Sequence, residues 1–206
     1  MIAIADYGVG NIFSLYRSFE AIGADARLTD DPAVLRRADR LVLPGVGAFG
    51  DAAAKLEASG LRQTLIEEAE NGKPLLGICL GMQLMLDKGF EYGEHDGLGL
   101  IPGEVTDMRR LLADRTLKIP HMGWNALEFP GSRPECPLFK YANEGDYVYF
   151  VHSFCAVKCG EHTIAVTDYS YKVTAAVAKG NIFGVQFHPE KSGRIGLDIL
   201  RAFNEL

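Results

Sequence analysis

Leu75-Leu76-Gly77-Ile78-Cys79-Leu80-Gly81 is the stretch that decides the fold. Leu75 to Ile78 is a short, wholly apolar run of the kind that forms a buried strand, and Leu80 to Leu86 beyond it reads as a helix. A strand that is apolar on both faces is covered on both sides, which is the property of a parallel sheet.

The same alternation runs back to the start of the chain. Ile2 to Ala5 is a buried strand ended by Asp6-Tyr7-Gly8. Asn11 to Ile22 places Ile12, Leu15, Phe19 and Ile22 at helical spacing, with Asn11 as N-cap and Gly23 as stop. Ala26 to Leu28 is a second strand, and Leu41-Val42-Leu43 a third, cut off by Pro44-Gly45. Alanine-rich helical sequence then continues to Asn71-Gly72. Beyond the deciding stretch the character changes. Tyr147 to Val157, His162 to Tyr169 and Lys172 to Lys179 are β-rich with turn signals between them, the pattern of antiparallel strands. Ile182 to Phe187 is one more buried strand, and Gly193 to Phe203 a closing helix. The expectation is one α/β domain over residues 1–206, with a mostly parallel sheet and an antiparallel β insertion.

A length of 206 residues suffices for one sizeable core. A net charge of −6 argues against a nucleic-acid surface, and Arg109-Arg110 is too short a basic cluster to reverse that. No apolar run approaches the roughly 20 residues of a membrane helix. With no signal-peptide pattern after Met1, reduced thiols in a cytoplasmic setting are expected. Cys155 and Cys159 lack a second Cys/His pair, so no metal site is expected. Gly8-Val9-Gly10 fails as a dinucleotide loop, because Phe13 stands where the third glycine belongs.

Three features carry chemistry. The first is Gly77-Ile78-Cys79-Leu80-Gly81, a nucleophile-elbow pattern with cysteine in place of serine. The turn strains the cysteine backbone and small neighbours relieve the crowding. The start of a helix favours thiolate, and the Leu80 N–H is free to face an oxyanion. Alone, the pentapeptide fits equally well a cysteine packed as a small apolar residue. The second is Gln186-Phe187-His188-Pro189-Glu190. If this segment stays extended, His188 and Glu190 share a face, giving the cysteine a base and the base an orienting acceptor. The third is Pro44-Gly45-Val46-Gly47, at the carboxyl end of the third strand. Ligands bind at such ends in an open parallel sheet. Val46 or Gly47 is placed to give the second oxyanion N–H.

Pro44 to Gly47, Gly77 to Gln83 and Gln186 to Glu190 together resemble the class I (triad) glutamine amidotransferases. Asp6 to Asn11, Pro120-His121-Met122-Gly123-Trp124-Asn125, Tyr149 to Phe154 and Lys191-Ser192 are similar to the glutaminase subunits of imidazole glycerol phosphate synthases. The resemblance covers essentially the whole chain. It implies a three-layer, flavodoxin-like fold and hydrolysis of glutamine to glutamate and ammonia through a thioester on Cys79, with no cofactor. It implies that Gly47, Gln83, Ser153 and Phe154 line the glutamine site, and that Trp124 and Asn125 sit near a partner interface. That partner is a cyclase subunit with a (β/α)8 barrel, bound as a heterodimer. It receives ammonia through an internal channel and forms imidazole glycerol phosphate and an aminoimidazole carboxamide ribonucleotide in histidine biosynthesis. Glycines flanking Val46 suggest that the oxyanion peptide stays turned away until the partner binds its own ligand.

Overall fold

A computed structural model describes residues 1–10, 12–131 and 136–206. The expected N-cap at Asn11 therefore lies outside the described residues. In chain order the first half runs β1 (Ile2–Ala5), α1 (Ile12–Ala21), β2 (Ala26–Thr29), α2 (Pro32–Arg37), β3 (Arg40–Leu43), α3 (Phe49–Ala58), α4 (Leu61–Glu70), β4 (Leu75–Ile78) and α5 (Leu80–Leu84). The second half runs β5 (Lys88–Gly89), β6 (His95–Asp96), β7 (Glu104–Asp107), β8 (His121–Ala126), β9 (Tyr147–His152), β10 (Phe154–Val157), β11 (Thr163–Asp168), β12 (Lys172–Lys179), β13 (Ile182–Val185) and α6 (Gly193–Asn204).

Seven strands form the central sheet in the order β11-β12-β13-β4-β3-β1-β2. The five from β2 to β13 are parallel, and β12 and β11 continue the sheet antiparallel. Successive residues of a strand point to opposite faces. Ala3, Leu41, Leu43 and Leu75 accordingly enter the core on one side, and Ile2, Ile4, Val42, Leu76 and Ile78 the core on the other. Helices cover both faces, as the apolar strands require. The strand order reverses between β1 and β3, so the carboxyl ends of β1, β3, β4 and β13 border the crevice where such sheets bind ligands.

Gly23 ends α1 as expected, with φ 74° and its N–H bonded to the Glu20 carbonyl at 2.9 Å. Three local expectations need correction. The long helix after Gly47 is two helices, because Gly60 takes a left-handed φ of 72° and starts a new one. The deciding helix ends at Leu84 rather than Leu86. Tyr147 to Val157 is not one strand. It breaks at Ser153, so that β9 pairs with β8 in a separate hairpin and β10 pairs with β7 in a four-stranded sheet.

Candidate active site

Cys79 lies between β4 and α5 with φ 54° and ψ −110°, a backbone state that is costly for any residue but glycine. Neighbouring structure holds it there. Its N–H donates to the Val185 carbonyl at 2.8 Å, and its carbonyl accepts from the Gln83 N–H at 3.1 Å. The glycines on either side permit the approach of helix to strand. A Cβ on Gly81 would stand 1.8 Å from the Leu43 oxygen, and one on Gly77 would meet Met85 Sδ at 2.6 Å and Met82 Cα at 2.8 Å. These contacts explain sterically the glycine spacing read from the sequence.

His188 follows β13, and its Nδ1 lies 2.8 Å from Glu190 Oε1. The pair does not form along extended chain, as the sequence suggested. His188 itself is extended, but Pro189–Lys191 is a tight 3-10 turn that folds Glu190 back against the ring. Proline at the first position of that turn has the φ the turn needs. The main chain of His188 is clamped from both sides. Its N–H donates to the Tyr149 carbonyl at 2.9 Å, and its carbonyl accepts from Ser192 Oγ at 2.6 Å. Both Nε2 of His188 and Oε2 of Glu190 are buried without a hydrogen-bond partner among the described residues. Burial opposes charge on this imidazole, but Cys79 and Glu190 together outweigh it and raise the pKa to about 10. A ring held in this way takes up a proton readily.

The two groups open into one cavity of about 320 Å³, lined among others by Val46, Gly47, Leu80, Gln83, Ser153 and Phe154. All the residues expected at the oxyanion and glutamine sites therefore border the same space as Cys79 and His188. Leu80 opens α5, so its N–H has no acceptor within the helix. Gly47 has φ 103°, yet a Cβ there would meet nothing within 4 Å, so the need for glycine is conformational. Gly45 is different, since a Cβ would stand 2.8 Å from the Tyr7 hydroxyl. That hydroxyl donates to the Pro44 carbonyl at 2.7 Å and fixes the base of the loop. Burial, then the nearby Cys79, push the Tyr7 pKa upward, which keeps the hydroxyl a donor. Glu91, also on the cavity wall, accepts from the Phe49 N–H at 2.8 Å and caps α3.

The sequence placed Gln83 at the glutamine site but gave no sign of the polar contacts it makes beneath the cavity. Gln83 Nε2 donates to the Phe154 carbonyl at 3.1 Å and to Gln186 Oε1 at 2.9 Å. Gln186 Nε2 approaches Cys79 Sγ at 3.6 Å. Gln83 thus spends its N–H groups on the pocket wall and on the partner of the sulfur. Gln186 is wholly buried, and a glutamine two residues before His188 in an apolar strand was the available signal. His152, on the cavity wall, gave none until β8 and β9 were paired.

Trp124 and Asn125 diverge. Trp124 is half exposed, on the same outer face of the β8–β9 hairpin as the exposed Met122. Asn125 turns its amide inward, to His121 and the Asp168 carbonyl. Cys79, Cys155 and Cys159 are free thiols. Burial pushes the thiols of Cys155 and Cys159 up to about 11, and Cys155 Sγ contacts the Tyr171 hydroxyl at 3.1 Å. Among the described residues no group of three or more His, Cys, Asp or Glu is arranged to hold a metal ion. No helix among them is long and apolar enough to cross a membrane.

An elbow cysteine beside a carboxylate-bound imidazole, at the carboxyl edge of a doubly wound sheet, is the arrangement that a triad-type cysteine hydrolase requires. Residues 3–204 match the model of the class I glutamine amidotransferase family, "Glutamine amidotransferase class-I". A protein named imidazole glycerol phosphate synthase subunit HisH from Methanothermobacter thermautotrophicus is 50% identical over 206 residues, covering 100% of this chain and 98% of the relative. Its namesake from Syntrophotalea carbinolica is 46% identical, covering 100% of both chains. A solved structure described as a glutamine amidotransferase matches the fold with TM-score 0.76 at 17% identity, covering 100% of this chain and 98% of the other. The chain belongs to the class I glutamine amidotransferase family, and within it to the HisH group of glutamine-hydrolysing subunits.

Proposed function

We propose that residues 1–206 work as one domain, the glutaminase half of an imidazole glycerol phosphate synthase. The observation that carries this reading is the shared cavity of Cys79 and His188, with the ring tied to Glu190 at 2.8 Å. Cys79 gives its proton to His188, and the sulfur attacks the side-chain carboxamide carbon of glutamine. The carbonyl oxygen becomes an oxyanion, facing the N–H of Leu80 and that of Val46 or Gly47. His188 returns the proton to the departing nitrogen, the C–N bond breaks, and ammonia leaves a thioester on Cys79. Water then attacks the thioester with His188 as base. Glutamate is released and the thiol restored, so atoms and protons balance. Glu190 holds the ring tautomer and stabilises the imidazolium. Gly47, Gln83, Ser153 and Phe154 shape the pocket, and their place on its wall supports that role.

Ammonia is useful as a nucleophile only while unprotonated, so it must pass directly to an acceptor. Relatives named as subunits of imidazole glycerol phosphate synthase support a partner subunit as that acceptor, and we take it to be a cyclase with a (β/α)8 barrel, bound in a cytoplasmic heterodimer. The exposed Trp124 and Met122 support docking on the outer face of the β8–β9 hairpin. The φ of Gly47 supports an oxyanion loop that the docked, nucleotide-loaded partner sets in place. The test is glutamate release by the chain alone, with the cyclase, and with cyclase plus nucleotide. Wild type is expected to be fully active only in the last case, and Cys79→Ala inactive in all three. Glutamate release by Cys79→Ala would overturn the assigned nucleophile. Full activity of the isolated chain would overturn the gating.

A further inference from the structure

Two buried histidines lie outside the triad, His152 on the pocket wall and His121 behind it. His121 on β8 pairs in register with His152 on β9, and Nδ1 of the first meets Nε2 of the second at 3.1 Å. His152 Nδ1 reaches the Phe154 carbonyl at 2.8 Å. On the far side, His121 Nε2 meets Asn125 Oδ1 at 2.8 Å, and Asn125 Nδ2 donates to the Asp168 carbonyl at 3.0 Å. Stacking holds the His121 ring in place, with Tyr169 at 4.0 Å and Phe150 at 5.1 Å between centroids.

This chain is short of a hydrogen. Its two ends are carbonyl oxygens, which only accept. Between them run four junctions, each needing one hydrogen. A neutral imidazole carries one N–H, so the two rings supply two. Asn125 carries both amide hydrogens on one nitrogen, which reaches a single junction. Three hydrogens therefore serve four junctions. Turning the amide end for end moves the shortage to the Asp168 carbonyl without removing it. One added proton fills the gap, whichever ring receives it.

We infer that His121 and His152 form a single proton-sharing unit, whose one added proton completes the chain tying the Phe154 carbonyl of the pocket wall to strand β8. Without that proton, the rings have two main tautomeric choices. With Nδ1–H on both, the Phe154 link stands and the Asn125 link is open. With Nε2–H on both, Asn125 is satisfied and His152 turns a lone pair toward Phe154. The pocket wall and β8 thus compete for the same hydrogens, and the two histidines are positioning residues for the wall. The groups that face them are few. His188 repels charge on His152 from the triad side. Tyr169, after β11, donates its hydroxyl to the Lys118 carbonyl, and the Asp168 carboxylate pairs with Lys172. Burial holds both imidazoles below their ordinary value, which leaves the unit one proton short near neutral pH.

The test follows ring-nitrogen shifts of the full chain, labelled with nitrogen-15 histidine, through a pH titration. It does not depend on the reaction assigned above. A shared proton moves the signals of both rings at one common midpoint, expected below the ordinary value near 6.5. Asn125→Leu removes the far acceptor, so two neutral rings with Nδ1–H satisfy every remaining junction. The midpoint is then expected to fall by about one pH unit, tenfold weaker proton binding, with both rings in the Nδ1–H form. A purely structural Asn125 would lower Tm and leave the midpoint in place, which would overturn the inference. Two independent midpoints in the wild type would overturn it as well, and that measurement stands even if Asn125→Leu fails to fold.

Discussion

His188 stands between a sulfur and a carboxylate, and both favour its charged form. A folded imidazole held above its ordinary value contributes stability that is fully present below that value. The contribution is lost as pH rises through the folded pKa, so the window runs from about 6.5 up to about 10. Cys79→Ala removes one of the two partners that offset burial. The pKa of His188, read by NMR titration, is expected to fall, and the window to narrow from its alkaline end. An unchanged His188 pKa in this variant would show that the sulfur and the ring are not coupled. The sequence disclosed the residues of this pair but not how they meet. Proline after His188 suggested extended chain, whereas the turn at Pro189–Lys191 makes the contact. A short turn placing two side chains together is set by local backbone geometry, which residue spacing describes only loosely.

At the scale of elements, two glycines of the site are required for different reasons, and substitution separates them. Gly81→Ala drives a methyl into the Leu43 carbonyl, with the helix unable to retreat from the sheet. It is expected to cost at least about 3 kcal/mol, as severe overpacking does, and to show as a lower urea midpoint or an insoluble chain. Gly47→Ala has open space around the new methyl but a φ of 103° to maintain. Its expected cost is about 1–3 kcal/mol of local strain, relieved by a shift of the loop. The urea midpoint should therefore change little, while glutamine hydrolysis by the assembled enzyme falls at least about a hundredfold, the scale of a lost oxyanion donor. Equal losses of stability in the two variants would contradict this division. The buried parallel strands were legible because each is a short apolar run with a glycine, a proline or a charged residue close to its ends. The break at Ser153 was not, because Tyr147 to Val157 reads as continuous β sequence and only partner strands divide it.

Across the whole molecule, the sheet brings together the ends of β3, β4 and β13. The three motifs that carried the sequence reading sit at these ends. That part of the site was legible because an open parallel sheet gathers its strand ends at one edge. The network of Gln83, Gln186 and His152 was not, because it depends on pairings between segments distant in sequence. On the outside, Trp124 lies edge-on to Tyr149 at 6.0 Å and remains half exposed. A partner covering it would make it an anchor of the interface. Trp124→Ala is expected to raise the Kd for the cyclase subunit at least about tenfold, as central aromatic contacts do, with Tm of the isolated chain nearly unchanged. A Kd equal to wild type would remove this face from the interface.

The distance along the chain between Cys79 and His188 has a consequence for biosynthesis. A ribosome completes Cys79 roughly a hundred residues before it reaches His188. Until the closing strand β13 takes its place beside β4, Cys79 has no imidazole beside it and the pocket no far wall. On the proposed mechanism, a chain cut short before β13 carries an unarmed cysteine, and hydrolytic chemistry waits for that strand.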